Sequence, residues 1–133
     1  MSKELSRGIS LELTEEVTPD KTAEAIGSGM LPVYATPAMI ALMEHTALGS
    51  VAPYLEEGTT TVGTMLNVKH TAPSVVGSVI TCESELIEID RRRLVFTVRA
   101  FDEAGEIGSG THERFIVDCE KFFTKANERK AEK

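Results

Sequence analysis

Between residues 60 and 118 apolar and polar residues alternate in four runs: Thr60 to His70, Ser78 to Ile89, Arg92 to Asp102 and Glu106 to Asp118. A period of two sends successive side chains to opposite faces, so the pattern predicts four long antiparallel strands. Turn chemistry separates them at Pro73 to Gly77, at Asp90-Arg91 and at Asp102 to Gly105, connections short enough for hairpins or neighbouring strands. A shorter alternation, Ser10 to Thr18, ends at Pro19-Asp20 and predicts a first strand. Residues 19 to 35 show no period and read as a loop with one helical turn.

At Thr36-Pro37 the pattern becomes helical. Thr is an N-cap residue, and Pro in the first turn loses nothing by lacking an N–H, so a helix is predicted from Pro37 to Ala52 with Thr36 as its cap. Its apolar residues spread round the whole wheel, and a helix apolar on all sides is buried on most of them. One strand, one buried helix and four long strands make an α+β layer in which a curved antiparallel sheet wraps one long central helix, the hot-dog fold. A single sheet covers one side of that helix, so the other side is expected to meet a second copy in a homodimer. Residues 1–123 form one predicted domain. The charged C-terminal tail, 124–133, is expected to fray, with Phe122 and Phe123 packing back.

Composition narrows the function classes. Of 133 residues, 41% are hydrophobic, yet no apolar run approaches the roughly 20 residues of a membrane span. Met1 to Ser10 carries charges and no apolar core of a secretory signal, and Cys82 and Cys119 make no disulfide framework, so a cytoplasmic protein with reduced thiols is expected. A net charge of -7 argues against a nucleic-acid partner. Within that acidic background Arg91, Arg92 and Arg93 form a basic cluster, read as a solvated turn in preference to a phosphate site.

Against this frame a few polar residues stand out. His70 falls at a position of its strand that points to the helix, a structural core histidine unless it has catalytic company. Glu44 lies mid-helix among apolar residues, where an unpaired carboxylate is costly; either it works in a site or it pairs with His45, His70 or an Arg. A hydroxyl at Thr36 sits where the positive end of the helix dipole stabilises a developing oxyanion. Eight residues of helix separate Thr36 from Glu44, an axial rise of roughly 12 Å, so one site holding both takes them from two subunits or spans an extended ligand. His112 and Arg114 share a face beside Gly108 and Gly110; Arg114 is read as a carboxylate or phosphate holder, or as a brace for Glu44. Metal, nucleotide and serine-hydrolase motifs are absent, and no cofactor is expected.

The segments "VYATPAMIALMEHTA", "TTVGTMLNVKHTAPSVVG" and "DEAGEIGSGTHERFIVD", in this order and separation, resemble the hot-dog thioesterases related to fluoroacetyl-CoA thioesterase, over about residues 10 to 123. The resemblance implies a homodimer that hydrolyses acyl-CoA with Thr36, Glu44 and His70 as the catalytic group and Gly63 and Arg114 in support at the acyl end. Glu44 would be nucleophile or base for water, His70 the proton donor or acceptor, and Thr36 a partner near the thioester oxygen. Where that family has a Phe-rich lid, this chain has Met30 to Tyr34. Tyr34 is therefore a substrate-binding candidate whose hydroxyl needs a partner, and a short acyl group is expected, its identity left open and fluoroacetyl disfavoured. The rival readings are a non-catalytic acyl-CoA or small-ligand binding protein and a hot-dog hydratase or dehydratase.

Overall fold

The computed structural model describes residues 4–132; Met1 to Lys3 of the amino-terminal segment and Lys133 of the charged tail lie outside the described residues. Strands β1 (Ser10–Glu16), β2 (Thr59–His70), β3 (Val79–Asp90), β4 (Arg93–Asp102) and β5 (Gly105–Asp118) form one antiparallel sheet in the order β1-β3-β4-β5-β2. A one-turn helix, α1 (Ala23–Ile26), follows a 3-10 turn at Pro19–Lys21, and the long α2 (Thr36–Val51) packs on β1, β3, β4 and β2. The core lies between them, with Met39, Leu42 and Met43 of α2 set against Ile80, Leu86, Leu94 and Phe96 of the sheet. This is the expected hot-dog arrangement of a curved antiparallel sheet around a central helix.

The order of strands differs from the expectation at one connection. β2 and β3 follow each other in sequence, but β5 and β4 lie between them. The segment around Pro73 to Gly77 is therefore a crossover. Its eight residues, 71 to 78, reach up to about 26 Å, more than the roughly 14 Å of three strand spacings. The hairpins β3–β4 and β4–β5 occupy the interior of the sheet, which leaves β2 the free side of β5. Alternation reports which face a residue takes and is silent on which strand lies alongside.

Register carries a second difference. Gly63 lies opposite Arg114 and Met65 opposite Glu113, so Thr64 is an extra residue, a β-bulge. The bulge shifts the phase of β2 by one. His70 faces the helix as expected, with Leu66 and Val68 on the same face, but Val62, which strict alternation from His70 would also turn inward, pairs with Phe115 on the outer face, and Gly63 turns inward in its place.

At the ends of the helices two further expectations change. The N-cap of α2 is Ala35, with Thr36 the first helical residue and no side chain capping the terminus. The carboxy-terminal segment is helical from Cys119 to Ala131 (α3), started by Asp118, whose carboxylate accepts from the Lys121 N–H. Phe122 and Phe123 stay exposed, at 46% and 70%, instead of packing back. Along α2 one side stays open, a stripe in which Ala41 and His45 are exposed and Ile40, Glu44 and Leu48 half-buried.

Candidate active site

His70, the last residue of β2, reaches across to the start of α2, where its Nδ1 lies 2.8 Å from the Thr36 hydroxyl. Its other ring nitrogen, Nε2, is buried and has no hydrogen-bond partner among the described residues. Burial pushes the His70 pKa below the usual histidine value, with the Ala72 backbone opposing in part. The ring is thus neutral at pH 7 and carries a single N–H. Either the hydroxyl donates to a bare Nδ1 or Nδ1–H donates to the hydroxyl. Because Thr36 does not cap its helix, this hydroxyl is committed to His70 and the uncapped amide end of α2 lies beside it, bringing partial positive charge. Thr36, His70, Tyr34, Ser28 and the 71–73 segment line an open cavity of about 340 Å³.

A second group forms where α2 passes over the β2 bulge. Arg114 of β5, almost fully buried, donates from Nε to the Thr61 hydroxyl at 2.7 Å, from Nη2 to the Thr61 carbonyl at 2.9 Å and from Nη1 to His112 Nε2 at 3.1 Å. Glu44 Oε2 lies 3.5 Å from the same Nη1, with the Glu44 side chain still 40% exposed. His112 Nδ1 sits 2.8 Å from the Met65 carbonyl. A carbonyl only accepts, so Nδ1 carries the proton and Nε2 is free to accept from Arg114. Burial first, then the Arg114 charge, holds His112 below its ordinary pKa, which agrees with a neutral ring. Gly63 makes room for the group: a Cβ there would strike Glu44 Oε2 and stand 3.4 Å from Arg114 Nη1.

The sequence profile of the family described as fluoroacetyl-CoA-specific thioesterase matches residues 17–120. The chain belongs to the fluoroacetyl-CoA-specific thioesterase family. It is similar to the fluoroacetyl-CoA thioesterase of Streptantibioticus cattleyicolor, 43% identical over 97 residues that cover 73% of this chain and 70% of the relative. Among solved structures, a Thr-to-Ser variant of a fluoroacetyl-CoA thioesterase in complex with acetyl-CoA superposes with a TM-score of 0.90 at 35% identity, covering 94% of this chain and 98% of the other. A thioesterase superfamily member from Thermus thermophilus gives 0.86 at 29% identity, covering 98% and 99%.

Within this member of the fluoroacetyl-CoA-specific thioesterase family, then, the candidate residues fall into two groups. Thr36, His70 and Tyr34 meet at one end of α2, while Glu44, Gly63, Arg114 and His112 meet near its middle. Glu44 touches neither Thr36 nor His70 of its own chain; its partner is the Arg. Arg93 does not join Arg91 and Arg92 as a free cation, since it binds Glu113 at 2.9 Å and Glu88 at 3.1 Å on the outer face. Those residues also lie about 23 Å along β5 from the level of His70, seven positions from Gly108 to Phe115. Two participants escaped the sequence reading. Thr61, which holds Arg114 twice, looks like any strand Thr. Glu15, which accepts from the Tyr34 hydroxyl at 2.6 Å, left one signal: a carboxylate in the row Leu11, Leu13, Glu15, Val17.

Proposed function

We propose that this protein hydrolyses a short-chain acyl-CoA to the free acid and CoA, at a site completed by two subunits. Thioester hydrolysis is the chemistry named for its family and for its Streptantibioticus relative. The observation that carries the reading to these residues is the Thr36–His70 hydrogen bond beside the uncapped start of α2. A thioester carbonyl placed there has a hydroxyl and the positive helix end for its developing oxyanion, and a neutral imidazole within reach.

The remaining requirement is a carboxylate, and the helix keeps Glu44 of the same chain roughly 12 Å of axial rise away. In a two-fold dimer packed through the exposed side of α2, Glu44 of the partner subunit faces the Thr36–His70 pair. The half-buried Ile40 and Leu48 and the open edge strand β2 support such packing. Arg114 and Gly63 then hold the Glu44 carboxylate in place. Water adds to the carbonyl carbon as the Glu44 carboxylate takes one of its protons, that proton passes to neutral His70, the C–S bond breaks, and His70 delivers the same proton to the leaving thiolate. With two free thiols, Cys82 buried and Cys119 exposed, we assign the protein to the reducing cytoplasm.

Release of free thiol from acetyl-, propionyl-, butyryl- and fluoroacetyl-CoA tests the reading. The wild type is expected to turn over at least one of them, and Glu44→Gln to lower kcat by about 100-fold or more. Binding of the panel without any thiol release would instead establish a non-catalytic acyl-CoA binding protein. Undiminished turnover by Glu44→Gln would remove that carboxylate from the chemistry.

A further inference from the structure

The Tyr34 hydroxyl is the feature by which this chain's pocket departs from a purely hydrocarbon lid, and its partner lies outside the cavity, on a strand that lines none of it. Glu15 occupies a helix-facing position of β1, in register with the buried Ile80 and in the same row as Leu11 and Leu13. A carboxylate in that row needs a hydrogen-bond donor, and the Tyr34 O–H supplies one at 2.6 Å. Tyr34 itself is 1% exposed and stands edge-on to His70, with ring centroids 6.4 Å apart and planes at 81°.

We infer that Glu15 and Tyr34 act as one unit that fixes the wall of the acyl pocket, with Glu15 as a positioning residue that selects the acyl group through the tyrosine ring. The ring is held at both ends. Its backbone N–H donates to the Ser74 carbonyl at 2.8 Å, and the Ser74 hydroxyl in turn donates to Asp102 at 2.7 Å. At the far end the phenol is tied to Glu15 by a charge-assisted bond, stronger than a bond between neutral groups. Because the hydroxyl points to β1, the ring meets the cavity with its hydrocarbon part, beside Thr36 and His70. Without Glu15 the phenol has no fixed far end, the ring tilts, and the space next to His70 changes shape.

The inference rests on the thioesterase reading, and the experiment separates the two. The ratio of kcat/KM for acetyl-CoA to that for butyryl-CoA is measured for wild type, Glu15→Gln, Glu15→Ala and Tyr34→Phe, with Tm recorded for each. Gln keeps an acceptor oxygen, so Glu15→Gln is expected to hold the wild-type ratio within about twofold. Glu15→Ala and Tyr34→Phe are expected to move it by about tenfold, the discrimination that a methylene or two commands in a shaped pocket. Should Glu15→Ala fail to fold, Tyr34→Phe, which keeps the ring, carries the same test. A folded Glu15→Ala or Tyr34→Phe with the wild-type ratio would overturn the inference while leaving the thioesterase intact. So would a Glu15→Gln as altered as Glu15→Ala. A wild type that hydrolyses none of the panel would overturn both.

Discussion

Gly63 matters through the atom it lacks. The inward turn of β2 at the bulge brings its Cα under the Glu44 carboxylate, and a methyl group there meets an oxygen and a guanidinium together. Arg114 cannot retreat freely, since it is fixed by Thr61 and His112, so the half-exposed end of Glu44 is what must move. Gly63→Ala is therefore expected to displace the carboxylate by a fraction of an ångström to an ångström and to lower kcat by about 10- to 100-fold with little change in Tm. Steady-state kinetics beside a thermal melt checks this. Arg114 shows how a buried charge is tolerated: burial presses its pKa down while Glu44 opposes that, and four acceptors surround the guanidinium. His112, neutral and with one N–H, is suited to accept from Arg114 on one side and donate to Met65 on the other.

At the scale of elements, the tight β3–β4 hairpin closes on the pair Asp90–Arg93, and Arg91 in its turn has φ of 59°. A side chain in the left-handed region costs about 1–2 kcal/mol, which glycine avoids. Arg91→Gly is expected to raise Tm by a few degrees and to leave KM for acyl-CoA unchanged; a raised KM would return Arg91 to the phosphate role that its exposure alone does not earn. The lengths of the elements were legible because the alternation is long and the turns are chemically distinct: β2 to β5 begin and end within a residue or so of the sequence pattern. The bulge at Thr64 was not, because one extra residue in a run of Thr, Val and Gly leaves no mark on composition while it reverses the face of everything before it. Likewise α3 is helical in a charged segment with no buried face, where helix formers and the Asp118 cap outweigh the lack of packing.

For the whole molecule, two histidines set the response to acid, His112 buried and His70 half-buried. His70 and His112 both have pKa values held below that of an exposed histidine, chiefly by burial. The unfolded chain takes up protons near pH 6.5 while the folded chain still refuses them, so stability falls as pH drops through and below that value. Tm is expected to decline as the pH falls below about 6.5, and kcat/KM to fall at still lower pH, where His70 of the folded protein takes up a proton and can no longer accept one. Mixed dimers test the shared site. Thr36→Val and Glu44→Gln subunits, each inactive alone, are expected on reassortment to recover about a quarter of wild-type activity, since half the dimers then carry one intact site of two. No recovery would confine the site to one chain. By itself the sequence determined the elements and the placing of Thr36, Glu44 and His70 on them, because periodicity and helix rise are local properties of the chain. Only the tertiary structure decided that Thr36 binds His70 in place of capping its helix, that Gly63 faces Glu44, and that Glu15 holds Tyr34. Each of those contacts joins residues distant in sequence, and their meeting depends on strand order and register, which local pattern does not encode.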